Sequence, residues 1–401
     1  MKRQLAYFLF IVVALLSESC ASVNKKRLEK LIPQSVNVAV RQAYAMSESL
    51  KSDTMLLPKS VDADGKLLTS DSRWWGSGFF PGSLWYLYEL TGNDSLRMLA
   101  ENFTKRVERE KWTTNNHDVG FMIYCSFGNG YRITENASYP DVMLTAARSL
   151  STRYNSKIGL IRSWDFNKQH WQYPVIIDNM MNLELLLWAA RYSGDSSFYR
   201  MAVSHADKTA ENHYRPDNSC YHVVSYDINT GKPEKRETWQ GYSHSSSWSR
   251  GQAWGLYGYT MMFRETGLTR YLDKAKAIAS YLINHPNLPA DKIPYWDFDA
   301  PDIPNAKRDA SSASIMASAL IELSDFVDAK LKKQYLSVAE SQLISLSSPA
   351  YRAEFGTNGN FLLKHSVGAL PLSSEIDVPL TYADYYYLEA LCRYKRSVLN
   401  K

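Results

Sequence analysis

The stretch Leu84-Trp-Tyr-Leu-Tyr-Glu-Leu-Thr-Gly92, followed directly by residues 94–107, decides the fold. It predicts an apolar helix that ends at a glycine, and then a second, amphipathic helix. Glycine at this position is typical of a left-handed helix cap. The same pairing recurs along the chain at 183–194 with 196–212, at 255–267 with 271–284 and, without the glycine, at 313–326 with 330–346.

Four more regions have helical periodicity: residues 28–50, the segment after His117, 140–153 and 379–394. The total is about twelve helices in hairpin pairs. Twelve such helices can close into a double ring, so the sequence predicts an all-α fold, an (α/α)6 barrel. An open solenoid of hairpins is the alternative. Because no Pro-, Ser- or Gly-rich linker divides the chain, we predict a single domain over 25–401, with long loops at one mouth.

Composition bounds the function. The 401 residues are 45% hydrophobic and 22% charged, which is typical of a soluble globular protein. A formal charge of +5 fits a small anionic substrate, and the absence of a basic run argues against nucleic acid. We interpret Cys125, Cys220 and Cys392 as buried thiols. The eight histidines show no metal-ligand spacing, so we predict neither a metal nor another cofactor.

The first residues predict export. Lys2 and Arg3 precede the apolar run 5–16, which is too short to span a bilayer. We therefore predict a signal peptide over 1–21 and a periplasmic location. Cleavage before Cys20 would give a lipoprotein anchored to the membrane, and cleavage after Ala21 is the alternative.

One loop carries the residue types of a sugar site. Residues 239–254, Trp-Gln-Gly-Tyr-Ser-His-Ser-Ser-Ser-Trp-Ser-Arg-Gly-Gln-Ala-Trp, contain three tryptophans, two glutamines, a histidine and an arginine. A groove that stacks sugar rings on aromatic faces and holds a carboxylate with a guanidinium needs this mixture, whereas a core does not. We expect Arg250 to bind the carboxylate.

Two aspartates are candidates for acid and base chemistry. Asp118 and Asp178 each stand at the entrance of an otherwise apolar helix. Helix capping is the simpler interpretation of a single aspartate in this position. Two carboxylates near apolar and aromatic walls can instead hold different pKa values, one protonated as an acid and one ionised. We expect a protonated Asp178 beside an ionised Asp118.

These motifs together resemble the unsaturated glucuronyl hydrolases of glycoside hydrolase family 88, over nearly the whole mature chain. The segments that carry the resemblance are Trp75-x-x-Gly78-Phe79, His117-Asp118-x-Gly120-Phe121, Asp178-Asn179-x-x-Asn182, Trp248-Ser-Arg250-Gly-Gln252-Ala-Trp254 and Pro379-Leu-x-Tyr382-x-Asp384. The resemblance implies an (α/α)6 barrel without a metal. It also implies removal of a 4,5-unsaturated uronate from lyase-generated oligosaccharides, such as glycosaminoglycan disaccharides, by hydration of the C4=C5 bond.

By the same resemblance, Asp178 is the general acid and base and Asp118 is the second essential carboxylate. The positions that match the lining of the family's site are Trp75, His117, Phe121, Trp164, His222, Gln240, Trp248, Arg250 and Trp254. Family members that prefer sulfated substrates carry a Ser-x-x-Ser-x-Lys stretch, which the region 364–368 does not reproduce.

Three alternatives stay open at this point. A sister family acting on unsaturated rhamnogalacturonides shares the barrel, but its Arg-Gly motif usually continues with Asn, whereas Gln252 follows Gly251 here. A noncatalytic glycan-binding lipoprotein could use the same aromatic platforms. An ordinary inverting glycosidase on this barrel would need saturated substrates. The sequence leaves the source glycan and the oligomeric state undetermined.

Overall fold

The computed structural model describes residues 2–400, with side chains from residue 23 onward. It is dominated by helices. Their bounds are α1 Lys2–Ser49, α2 Phe79–Thr91, α3 Asp94–Val107, α4 Val119–Ile123, α5 Asn129–Thr134, α6 Tyr139–Ser151, α7 Leu183–Ser193, α8 Ser196–Asn212, α9 Ser249–Thr266, α10 Thr269–Ile283, α11 Ala310–Leu323, α12 Ala329–Leu346 and α13 Thr381–Tyr394. A π-helical turn, Tyr124–Gly128, joins α4 to α5, so that they form one rod. With this rod counted once, the described residues form twelve helices.

Six of these helices close an inner ring. The order around the ring is α2, the α4–α5 rod, α7, α9, α11 and α13, and α13 packs back against α2. On the outside, α3, α6, α8, α10 and α12 each cover an inner helix, and α1 packs against α12 and α2. The closed ring confirms the predicted (α/α)6 barrel and is incompatible with an open solenoid.

Sequence explains the two layers. Inner helices are surrounded on all sides, and every residue of α9 from Ser249 to Met262 is buried. Outer helices keep one polar face. The expected glycine caps are confirmed, since Gly92, Gly194 and Gly267 end α2, α7 and α9 in the left-handed conformation with φ of 68°, 75° and 68°.

The loops before the inner helices carry short antiparallel strands that the sequence analysis did not predict. They pair as β1 Leu57–Val61 with β2 Leu67–Ser70, β3 Tyr154–Asn155 with β4 Leu160–Ile161, β5 Pro174–Ile176 with β6 Val223–Tyr226 and β7 Pro233–Glu237, and β8 Ser366–Ala369 with β9 Ser374–Val378. Strands of two to five residues are too short to show a clear alternation of apolar and polar side chains.

Cys125, Cys220 and Cys392 are buried and free, as expected. Within the part of the chain that the structure describes, no helix has the length and hydropathy needed to cross a membrane. The leader predicted at 1–21 lies outside the residues whose side chains are described, so it stays a prediction, as does the domain boundary at residue 25.

Candidate active site

The two aspartates come together at the mouth where the inner helices begin. Asp118 directly precedes α4, and Asp178 lies in a 3-10 turn, Ile177–Asn182, between β5 and α7. One side chain ties the two turns to each other, because Asn182 Oδ1 accepts a hydrogen bond of 2.8 Å from the Phe121 backbone N–H. The Asp118 side chain makes no capping hydrogen bond, so capping does not explain its position.

Both carboxyls hold protons unusually tightly. Burial, and then the charge of Asp178, raise the pKa of Asp118 to about 8. Burial raises the pKa of Asp178 to about 7, although the charge of Arg250 acts in the opposite direction. The raised pKa of Asp178 agrees with expectation. Both values lie near neutrality, so the titration belongs to the pair, and an ionised Asp118 beside a protonated Asp178 stays a prediction.

His222 faces Asp178 as a neutral imidazole. Its Nδ1 accepts the backbone N–H groups of Trp239 at 3.0 Å and Gln240 at 3.2 Å, so its proton is on Nε2. Burial lowers the pKa of His222 to about 3. Nε2 lies 3.7 Å from Asp178 Oδ2, which is too far for a hydrogen bond and leaves both atoms free for a substrate.

His117 is the second buried imidazole of the site. Its Nε2 lies 3.3 Å from Asp118 Oδ1, and its backbone N–H donates to the Ser163 carbonyl at 3.0 Å. Burial lowers the pKa of His117 to about 3. A neutral His117 supplies a dipole beside Asp118 without a positive charge.

Arg250 has different partners from those expected. It is buried, and its Nη atoms donate to the carbonyls of Val367 and Gly368, the latter at 2.6 Å, and to Gln240 Oε1 at 3.2 Å. An ion pair with Asp309 at 3.4 Å completes the set. Four of its five N–H donors are therefore engaged within the protein. The guanidinium is thus held by the protein, and the assignment of Arg250 as a ligand of the substrate carboxylate stays a prediction. Arg250 fixes the β8 loop and stabilises the anionic form of Asp178.

Aromatic rings form the walls. Trp75, Phe121 and Trp254 are in succession, with ring centroids 5.5 Å and 5.3 Å apart. The ring centroids of Trp248 and His222 are 4.6 Å apart, and the Arg250 guanidinium lies over the Trp248 ring, 4.5 Å from its centroid. Trp164 is half-buried at the rim of the site. These rings exclude water from one side of the carboxyl pair, and the half-buried Trp75 and Trp164 have surface left to contact a sugar ring.

Several buried polar atoms in this region have no hydrogen-bond partner among the described residues, a condition that proteins normally avoid. They are Asp178 Oδ2, His222 Nε2, His117 Nδ1, Trp164 Nε1, Trp254 Nε1, Ser366 Oγ and Tyr382 Oη. Such atoms at a mouth lined with tryptophans indicate a site prepared for a ligand rich in hydroxyl and carboxylate oxygens. The described residues contain no group of three or more His, Cys, Asp or Glu able to hold a metal ion.

Sequence reasoning missed the residues that position the others. Gln252 pairs with both backbone groups of Cys220, at 2.9 Å and 3.2 Å, and so fixes the strand that leads to His222. Asp309 caps α11 through the Ser311 backbone N–H and is buried against Arg250. Gln252 belongs to the motif 248–254 that the sequence analysis recognised. For Asp309, the only sequence signal is its position before a run of small residues.

An (α/α)6 barrel with a buried acid pair and tryptophan walls at one mouth defines a carbohydrate-active enzyme. A family model, Glycosyl Hydrolase Family 88, matches residues 51–395. The chain belongs to glycoside hydrolase family 88 and is a glycoside hydrolase, which confirms the resemblance seen in the sequence.

The similar proteins include unsaturated glucuronyl and chondroitin disaccharide hydrolases, which is consistent with this family. The chain is 47% identical, over 82% of each chain, to an unsaturated glucuronyl hydrolase from Formosa agariphila. It is 31% identical to an unsaturated chondroitin disaccharide hydrolase from Streptococcus pyogenes, over 90% of this chain and 91% of that protein. The crystal structure of an unsaturated glucuronyl hydrolase specific for heparin superposes with a TM-score of 0.89 at 47% identity, over 92% of this chain and 98% of the other.

A substitution at Gly120 tests whether close contact between the Asp118 turn and the Asp178 turn is needed for activity. A Cβ there would lie 2.5 Å from Asn182 Oδ1 and 2.6 Å from Asn182 Cα. Because backbone is involved, we expect Gly120→Ala to cost about 1–3 kcal/mol of unfolding free energy. Displacement of the acid pair should lower kcat about 100-fold. Gly267→Ala is the control, since nothing lies within 4 Å of that Cβ and its φ of +68° costs stability alone. Equal turnover in the two variants would contradict the prediction, as measured by thermal melts and steady-state kinetics.

Proposed function

We propose that the enzyme removes a 4,5-unsaturated uronic acid from the non-reducing end of lyase-generated oligosaccharides. The observation that carries the proposal is the pair of protonatable carboxyls, with pKa values near neutrality, set among neutral histidines and tryptophans. The names of the relatives support it, because unsaturated glucuronyl and chondroitin disaccharide hydrolases share the family and most of the chain.

The chemistry follows from the vinyl ether at C4=C5. Asp178 donates its proton to C4, and the positive charge that develops at C5 is shared with the ring oxygen. Water then adds to C5 and returns a proton to the Asp178 carboxylate, so the acid is regenerated. The resulting hemiketal opens, and this breaks the glycosidic bond. Because no displacement occurs at the anomeric carbon, the carboxylate separation rule of retaining and inverting enzymes does not apply.

Glycosaminoglycan disaccharides are the proposed substrates, with unsulfated ones hydrolysed at least as fast as their sulfated counterparts. The Lys364 and His365 side chains already have protein partners, which supports this order. Lys364 Nζ donates to the Pro349 carbonyl at 2.7 Å, and His365 Nδ1 lies 2.6 Å from Asp377 Oδ1. Neither side chain is therefore left without a protein partner to bind a sulfate group.

The test is a panel of unsaturated chondroitin, hyaluronan and heparin disaccharides, each with and without sulfate. We expect loss of the ultraviolet absorbance of the double bond, fastest with an unsulfated member. Binding without any absorbance loss across the panel would indicate a noncatalytic glycan-binding protein. Turnover of saturated disaccharides would indicate an ordinary glycosidase instead.

We also propose export to the periplasm, supported by the charged and apolar order of residues 2–16. Lipidation at Cys20 would tether the enzyme to a membrane. Mass spectrometry of the mature N-terminus distinguishes an acylated Cys20 from cleavage after Ala21.

A further inference from the structure

A second cavity, here called the rear cavity, lies at the end of the barrel away from the catalytic mouth. Its volume is about 410 Å³, within the range of small-molecule sites. It reaches up to Gly120 and Met181, behind the acid pair. An aromatic layer separates the two spaces, because Trp254 packs against Phe121 and Tyr386 with centroid separations of 5.3 Å in both cases.

The walls of the rear cavity are ionic but balanced. Five arginines and five glutamates line it, and each has a partner of opposite charge: Arg132, Arg191, Arg264, Arg393 and Arg396 with Glu89, Glu184, Glu265, Glu322 and Glu389. A charged guest would bring an uncompensated charge into this half-enclosed space, which is costly. The balance therefore favours a neutral guest.

The same walls favour a guest with many hydrogen-bonding groups. Glu322 Oε2 is buried and lies 3.1 Å from Arg393 Nη1, but it makes no hydrogen bond among the described residues. Carboxylates and guanidinium groups carry more acceptor and donor positions than their mutual pairs use. Hydroxyl groups, which both donate and accept, can fill the remaining positions.

Aromatic rings stand at the rim. Trp188 and Tyr131 line the rear cavity, and their ring centroids are 6.0 Å apart. Tyr192 stacks on Trp188 at 4.9 Å with an interplanar angle of 14°, and 49% of its surface is exposed. Because Tyr192 covers one face of Trp188, the aromatic surface left to a guest is Tyr131 and the rest of Trp188. Aromatic surface beside paired ionic groups suits a sugar ring, which has an apolar face and a polar edge.

Backbone irregularity marks the same place. Tyr124–Gly128 and Lys395–Leu399 are π-helical turns, and residues of both, including Tyr124 and Arg396, line the rear cavity. Turns of this kind are rare and frequently lie at functional sites.

We propose that the rear cavity binds a neutral, hydroxyl-rich ligand of monosaccharide size, separately from the catalytic mouth. The probes are N-acetyl-D-glucosamine and D-glucose, followed by calorimetry and saturation-transfer NMR on the full chain. The measurements are made at pH 8, above the pKa of about 7 to which burial raises Glu184, so that the wall charges are balanced.

Two rear variants and one front variant make the experiment decisive. We expect Trp188→Leu to weaken binding at least tenfold. Arg191→Gln, whose side chain is 59% exposed and therefore tolerant of change, should weaken it several-fold. Trp164→Ala, at the catalytic mouth, should leave the affinity unchanged. The proposal is overturned if neither sugar binds the folded wild type, or if Trp164→Ala abolishes binding while both rear variants retain it.

Discussion

Asp178→Asn should retain substrate affinity and lose turnover by about 10³-fold or more, the scale expected when a general acid and base is removed. An amide keeps the shape of the carboxyl but cannot donate a proton to C4 and then accept one from water. The measurement is decay of the double-bond absorbance under saturating substrate, with affinity determined separately by calorimetry.

A matched control separates this role from burial itself. Asp384 is another buried carboxyl whose pKa burial raises to about 7, but its oxygens accept the backbone N–H groups of Leu362 and Leu363, both at 2.8 Å. We expect Asp384→Asn to lower the melting temperature and keep most of the turnover. If Asp178→Asn also kept its turnover, Asp178 would not be the proton donor.

Asp118→Asn should lower kcat about 100-fold and raise stability at alkaline pH. The folded protein holds the Asp118 proton up to about pH 8, whereas a carboxyl in the unfolded chain loses it near pH 4. Between these values the folded state binds more protons, so the contribution of this group to stability falls as pH rises. The Asp118→Asn variant has no carboxyl to ionise at this position, so its stability does not fall with pH for this reason. Its melting temperature should exceed that of the wild type at pH 8 by about 2–4 °C, and the difference should vanish near pH 4.

Wild-type activity should follow the same pair, falling as the pH rises from about 7 to above 8, when the last proton leaves. A kcat that stays constant to pH 9, or an Asp118→Asn variant that is equally destabilised at both pH values, would contradict a shared, buried proton.

The helices were accessible from sequence because periodicity and glycine caps are local signals. Gly92, Gly194 and Gly267 ended inner helices where the pattern predicted. The strands were not accessible, since β6, Val223–Tyr226, is buried throughout and shows no alternation. Its pairing with β5 joins residues that are far apart in the chain.

The site residues also divide into those that the sequence could identify and those that depend on tertiary packing. Motifs singled out Asp118 and Asp178, and the structure brings them together, while their roles stay predictions to be tested by substitution. Two of the four partners of Arg250 could not be foreseen, because they are backbone carbonyls of β8, which carry no side-chain signature. The raised pKa values of both carboxyls depend on burial that only tertiary packing creates.

The last inner helix, α13, packs between α11 and α2 and begins about three hundred residues after the start of α2. A nascent chain therefore cannot complete its core until its C-terminal segment has been synthesised, and contacts so distant in sequence form slowly. A chain that lacks α13 should expose the apolar sides of α2 and α11 and aggregate instead of working as a smaller enzyme.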